Sequence, residues 1–186
     1  DTHPMAALTS RELAYTEAHP LHWSQTGYPD TILRITRDDL AQFHAQFFTP
    51  QGMVIVVVGA VKAAVAAQAI AEAFSNWQNS RTARPDLPLV PKLTERREKR
   101  LSIDDKTQSD LILGWPGPAR LDPDFVPCFV SNTVFGIFGM YGRLGKIIRE
   151  ANGLAYYVYS QLEGGQAPGP WRVIAGVNPA NVDKTV

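Results

Sequence analysis

The stretch GRLGKIIREANGLAYYVYSQLEGGQAPGPWRVIAGVNP, residues 142–179, carries the pattern on which the fold turns. A helix is expected from Arg143 to about Ala151. Asn152 and Gly153 then supply the stop signal that a left-handed C-terminal cap requires. Leu154 to Leu162 reads as a strand. The run Glu163 to Pro170 contains Gly164, Gly165 and Gly169 and reads as a loop, and Trp171 to Val177 reads as a second strand, so the pair predicts a hairpin. Asn178 followed by Pro179 is a cap-plus-proline signal for a further helix.

Working upstream, Asp122 and Pro123 give the same signal for a helix from 123 to about 135, with Gly136, Gly139 and Gly142 interrupting the chain after it. Leu101 to Ile103 and Leu111 to Leu113 are short apolar runs, expected as two strands around a turn at 104–107. Residues 79–95 are polar and carry Pro85, Pro88 and Pro91, the composition of an extended linker. Before it, Val61, Val65, Ala69, Ile70, Ala73, Phe74 and Trp77 repeat with helical period. Met53 to Val58 is a continuous, mostly β-branched run, expected as a strand buried on both faces. Thr36 is placed to cap an amphipathic helix over 37–48, with Asp38 and Asp39 at its positive end. Nearer the N-terminus only a short helix around 10–17 is expected. The fold class is therefore α+β, a mixed or antiparallel sheet with helices packed on one face. The expected organisation is residues 1–78 as the end of one α/β unit, 79–95 as a linker, and 96–186 as the start of the next.

The 186 residues are 45% hydrophobic, enough for one ordinary domain or parts of two. Eighteen basic side chains balance eighteen acidic ones, so no electrostatic footprint for nucleic acid or an anionic membrane is present. The longest apolar run, Met53 to Val61, is too short to span a bilayer. The one cysteine, Cys128, excludes an internal disulfide and a thiolate zinc site. It reads as a small core residue.

Two stretches resemble a known family. The first is HPLHWSQTGYPDTILRITRDDLAQFHAQFFTPQGMVIVVVGAV, residues 19–61. The second is QSDLILGWPGPARLDPDFVPCFVSNTVFGIFGMYGRLGKIIREANGLAYYVYSQLEGG, residues 108–165. Their ordered elements are similar to zinc metallopeptidases of the insulinase, pitrilysin and mitochondrial-processing-peptidase family. They match the end of one homologous domain and the start of the next, the region that lacks the zinc site. The resemblance implies a peptidase that admits unstructured peptides to a closed chamber, with zinc held by a His-x-x-Glu-His motif. That motif does not occur here: between His19 and His22 stand Pro20 and Leu21. Zinc is thus expected outside this chain, on a domain of the same polypeptide or on a partner subunit, and no catalytic or metal-binding residue is assigned within it. Unstructured peptide is the implied partner, and neither nucleic acid nor membrane is.

The resemblance also implies two substrate-facing residues, Arg149 and, seven positions later, Tyr156. A phenol can donate a hydrogen bond to the oxyanion that forms when a peptide carbonyl is attacked. A guanidinium can hold a carbonyl or carboxylate with a fixed fork of donors. Read without the resemblance, Arg149 is an ordinary cation at a helix C-terminus, and Tyr156, alternating with Leu154 and Val158, is an ordinary core tyrosine. Gly136, Gly139 and Gly142 have three readings. They could form a phosphate cradle, which lacks the Gly-Lys-Ser/Thr it needs. They could form a plain helix connector. By position, they match a glycine-rich substrate loop in the non-catalytic subunit of the mitochondrial enzyme. Two other functions compete: a structural core subunit of the same family that cleaves nothing, and an unrelated nucleotide-binding α/β domain.

Overall fold

The structure, a computed structural model, describes residues 2–77, 86–90, 92–137 and 141–186. Of the expected linker, residues 79–85 and 91 lie outside the described residues. The chain divides into two compact units, one comprising residues up to Thr26 together with Leu87–Val186, the other Gly27–Asp86. Packing thus groups the N-terminal residues with the second half of the chain. The division into 1–78 and 96–186 concerns homologous sequence units, not packing units.

The larger unit is built on a three-stranded antiparallel sheet. The strands β1 (Ser109–Pro116), β2 (Ala155–Gly164) and β3 (Pro168–Val177) lie in the order β1-β3-β2. The expected hairpin is present as β2 and β3. The partner of Leu111 to Leu113 is not Leu101 to Ile103, as expected, but β3, with Leu111 opposite Ala175 and Leu113 opposite Val173. The reason lies in β3: its run from Val173 to Val177 is buried throughout, and such a strand needs a neighbour on each side. β1 supplies eight residues in continuous register, which the three-residue run 101–103 cannot match. Trp115 stands opposite Trp171 with ring centroids 5.4 Å apart, an aromatic cross-strand pair that fixes this register.

One face of the sheet carries the core. Ala155, Val158, Val173, Ala175 and Val177 pack with Leu144, and Phe135, Ile148 and Val182 close around them. Phe135 and Ile148 come from the π-helical turns Thr133–Ile137 and Gly145–Ala151, Leu144 caps the second of these turns, and Val182 opens the terminal helix α6 (Val182–Thr185); the helix α5 (Phe125–Asn132) leads into the first turn. α5 starts two residues later than Asp122 and Pro123 suggest, because the Asp122 side chain accepts from the Asp124 N–H at 2.9 Å and closes a turn before the helix. The Asn178 cap is formed as expected, its side chain accepting from the Ala180 N–H at 3.0 Å.

The other face meets α1 (Thr2–Ala14), which is longer and earlier than the expected 10–17 helix. Three polar contacts tie it down. Thr2 donates to Asp110. Arg11 pairs with Glu163 at 3.3 Å. The Tyr15 hydroxyl, just past the helix, donates to the Pro168 carbonyl at 3.1 Å. Glu163 also pairs with the buried guanidinium of Arg172, which reaches Gln161 at 3.1 Å. Burial, followed by the Glu163 charge, pushes the Tyr15 phenol up to about 12.

The smaller unit contains α2 (Pro29–Ile32), α3 (Arg37–Phe47) and α4 (Ala63–Ala73). The α3 cap is the one expected: the Thr36 hydroxyl accepts from the Asp39 N–H at 3.2 Å, and the Asp39 carboxylate accepts from the Thr36 N–H at 2.8 Å. The strand expected at Met53 to Val58 is not paired, and it is not buried on both faces. Val54, Val56 and Val58 are at least 77% exposed, against 38–51% for Met53, Ile55 and Val57. That period-two alternation is the signature of an extended chain. No other strand occurs among the described residues of this unit, so the run has no ladder to join.

Candidate functional site

The helix-to-strand turn in residues 149–156 is built as the sequence suggests. Gly153 has φ +62°, the left-handed conformation that a Cβ disfavours. Its N–H donates to the Arg149 carbonyl at 3.0 Å, and the Leu154 N–H donates to the Ile148 carbonyl at 2.9 Å. The Asn152 side chain donates to the Ile147 carbonyl at 2.7 Å. Three orphan carbonyls at the helix end are thereby satisfied. Arg149 lies in this last turn with an exposed side chain.

Tyr156 is placed by a β-bulge. Ala155 lies opposite Val177 and Tyr157 opposite Gly176, so Tyr156 is the extra residue with no partner of its own. Strict alternation puts Tyr156 on the same buried face as Val158. The bulge breaks that alternation: Val158 is 4% exposed, whereas Tyr156 is 58% exposed. Tyr156 lines a small hollow of about 220 Å³ together with Gly153, Leu154, Ala155, Asn178 and Asn181. Arg149 sits one turn away through Gly153 and is not in that lining.

The glycines behave differently from one another. Gly136 is buried within its π-helical turn. A Cβ there would lie 2.7 Å from Leu144 Cδ1 and 2.9 Å from the Ser160 backbone nitrogen. A Cβ on Gly142 would lie 2.8 Å from the Gly136 Cα. These two glycines let two backbone segments and β2 touch. Gly139 lies outside the described residues.

Among the described residues, no group of three or more His, Cys, Asp or Glu side chains is placed to hold a metal ion. His19 caps a short 3₁₀ turn, Pro20–His22, that ends on His22. His19 Nδ1 accepts from the Leu21 N–H at 3.1 Å, and His22 Nδ1 lies 2.9 Å from the Tyr15 carbonyl. Both rings are thus engaged with backbone, and among the described residues no donor set fits zinc. Among the described residues, no helix is long and apolar enough to cross a membrane.

Sequence reasoning missed one polar row in the sheet: Tyr157 on β2, Gly176 on β3 and Asp110 on β1 stand in one register line. The Tyr157 hydroxyl donates to Asp110, whose carboxylate also accepts from Thr2 and, at 3.2 Å, from the Gln108 amide. Burial pushes the Asp110 carboxyl up, but these hydrogen bonds and the nearby His3 charge outweigh it and hold it below the usual value. Burial, then the bond to Asp110, raises the Tyr157 phenol far above its ordinary value. The Tyr-Tyr pair at 156–157 was the available signal, since two large polar aromatics in succession cannot both follow strict alternation into one face.

Comparison with known proteins bears on the fold that carries these residues. The family model described as the peptidase M16 inactive domain matches residues 34–186. An uncharacterized zinc protease of Streptomyces coelicolor is 34% identical over 160 residues, covering 84% of this chain and 35% of that protein. The crystal structure of a peptidase M16 inactive domain from Pseudomonas fluorescens superposes with a TM-score of 0.82 at 26% identity, covering 96% of this chain and 42% of the other. A protease from Helicobacter pylori superposes with a TM-score of 0.84 at 25% identity, covering 94% and 42%. The chain thus spans about a third of the length of the zinc protease it matches.

Proposed function

Because this chain belongs to the peptidase M16 inactive-domain family, we propose that it is the non-zinc, substrate-binding region of a zinc-dependent metalloendopeptidase that takes unstructured peptides into a closed chamber. In this reading residues 1–78 close one homologous unit and 96–186 open the next, with 79–95 as the connection. The zinc, which supplies the Lewis acid for peptide hydrolysis, belongs to a domain of the parent polypeptide or to a partner subunit. This chain alone hydrolyses nothing.

The observation that supports the reading is the bulge at Tyr156. A tyrosine that sequence alternation assigns to the core is exposed beside a polar hollow, one glycine turn from an exposed arginine. There the phenol O–H donates to the oxyanion of the attacked carbonyl, where a preorganised donor contributes most. The Arg149 guanidinium holds a substrate carbonyl or carboxylate. The outer edge of β2, unpaired among the described residues, offers main-chain groups to an extended peptide, which gives broad sequence preference. Gly136 and Gly142 fit helix contact better than a substrate loop.

Peptide binding tests this reading against that of a family scaffold. A fluorescent unstructured peptide titrated into the parent protein should bind, with affinity reduced by Arg149→Ala. A parent protein that binds no peptide at any accessible concentration is a scaffold.

A further inference from the structure

The bulge raises a question of choice: Tyr156 and Tyr157 are adjacent and chemically identical, and only one can occupy the position opposite Gly176. We propose that Tyr157, Gly176 and Asp110 form a register clamp across the sheet, and that this clamp positions Tyr156 at the candidate substrate site. The proposal rests on the reading of Tyr156 given above.

Three observations carry it. Gly176 is the residue between the two partners, facing Asp110 on one side and Tyr157 on the other. Having no side chain, it leaves the space the Tyr157 ring needs to cross β3. A Cβ at Gly176 would overlap the edge of that ring and lie 2.8 Å from Gln108 Nε2. The Tyr157 hydroxyl then reaches Asp110, a carboxylate held in place by Thr2 and Gln108 as well.

Removing the bulge would slide β2 by one residue. Tyr156 would move opposite Gly176, and Tyr157 would turn toward the face occupied by Val158 and Val173. In the bulged register Val158 stands opposite Ala175 in the core, and it would leave that place if β2 slid, so burial of Val158 selects Tyr157 for the position opposite Gly176. The bond to Asp110 then holds Tyr157 there and leaves Tyr156 presented. Tyr157 touches no substrate in this account; it is a positioning residue, acting through Tyr156.

Two measurements test the clamp. The first is kinetic, on the parent enzyme assembled with its zinc-bearing region, for Tyr157→Phe, Tyr156→Phe, the double variant and Asp110→Asn. Tyr157→Phe and Asp110→Asn should each lower kcat about fivefold to tenfold with KM nearly unchanged. In the Tyr156→Phe background, Tyr157→Phe should have no further effect, since the residue it positions has already lost its hydroxyl. Equal losses in both backgrounds would make Tyr157 a general structural residue and overturn the proposal, as would an undiminished kcat in Tyr157→Phe. If Tyr156→Phe alone leaves kcat/KM intact, it is the underlying role of Tyr156 that fails.

The second measurement needs no catalysis. Nitration of the 186-residue chain by tetranitromethane, mapped by mass spectrometry, should modify Tyr156 and spare Tyr157. Asp110→Asn and Gly176→Ala should abolish that selectivity. Selectivity unchanged in both variants would show that the row does not set the register.

Discussion

Replacing Gly136 by alanine separates a glycine that gives a loop its freedom from one that lets two backbones touch. An alanine Cβ at 136 meets Leu144 Cδ1 at 2.7 Å, Ser160 Oγ at 2.8 Å and the Ser160 backbone nitrogen at 2.9 Å. Leu144 and Ser160 are both buried, and the nitrogen belongs to β2, so it moves only with the strand. Forcing a methyl into such a site, against a backbone atom that moves only with its strand, costs about 2–3 kcal/mol, the upper part of the usual range. Alanine gains about 1 kcal/mol over glycine in a helical segment. The difference is a net destabilisation of about 1–2 kcal/mol. In urea, with an m-value of about 2 kcal/mol/M, the midpoint should fall by about 0.5–1 M. Tryptophan fluorescence, to which Trp115 and Trp171 on the sheet contribute, reports the transition. Gly165→Ala is the control: its Cβ would meet only the Ala167 carbonyl, at an ordinary 3.5 Å. It should change stability by less than about 0.5 kcal/mol. If Gly136→Ala were as stable as the parent or more so, residue 136 would be free of β2, and its assignment as a packing glycine would be wrong.

Other outcomes follow from the same geometry. The carboxyl of Asp110 is held below its ordinary value in the folded chain, so its contribution to stability is fully present above about pH 3.8 and is lost as pH falls through the folded value. Asp110→Asn should therefore flatten the acid limb of a stability-versus-pH curve without altering its slope between about pH 6 and pH 8; an unchanged acid limb would remove Asp110 from the account. The unpaired run Met53 to Val58 exposes valines on one face and carries no charge, the composition that pairs edge to edge. Sedimentation should show concentration-dependent association of the isolated chain, and Val56→Lys should abolish it. A monomer at high concentration would mean that this face is protected.

Much of the fold was legible because local signals and burial agree. The Thr36 cap with Asp39, the Asn152–Gly153 stop and the Asn178 cap each need only a few adjacent residues, and each forms as read. The β2–β3 hairpin was readable for the same reason. Pairing at a distance was not. Leu111 to Leu113 and Leu101 to Ile103 are both apolar, and nothing local says that β3, some sixty residues further on, takes the first and leaves the second. Met53 to Val58 shows the converse case: its β propensity describes a fit to a sheet, and no sheet partner stands among the described residues of its unit. At the candidate site, the Arg149 and Tyr156 spacing was visible, but the exposure of Tyr156 was not. It depends on a bulge fixed by Gly176 and Asp110, residues on two other strands, and period-two reading assigns the tyrosine to the core.

Tyr156 offers the most direct test. In the assembled zinc peptidase, Tyr156→Phe removes one hydroxyl from a side chain that is 58% exposed, so the melting temperature should not move. kcat/KM for an unstructured peptide should fall by about two orders of magnitude, carried by kcat, the loss expected for one oxyanion donor. An unchanged kcat/KM at unchanged stability would contradict a role for this chain in stabilising the reaction and leave it a scaffold.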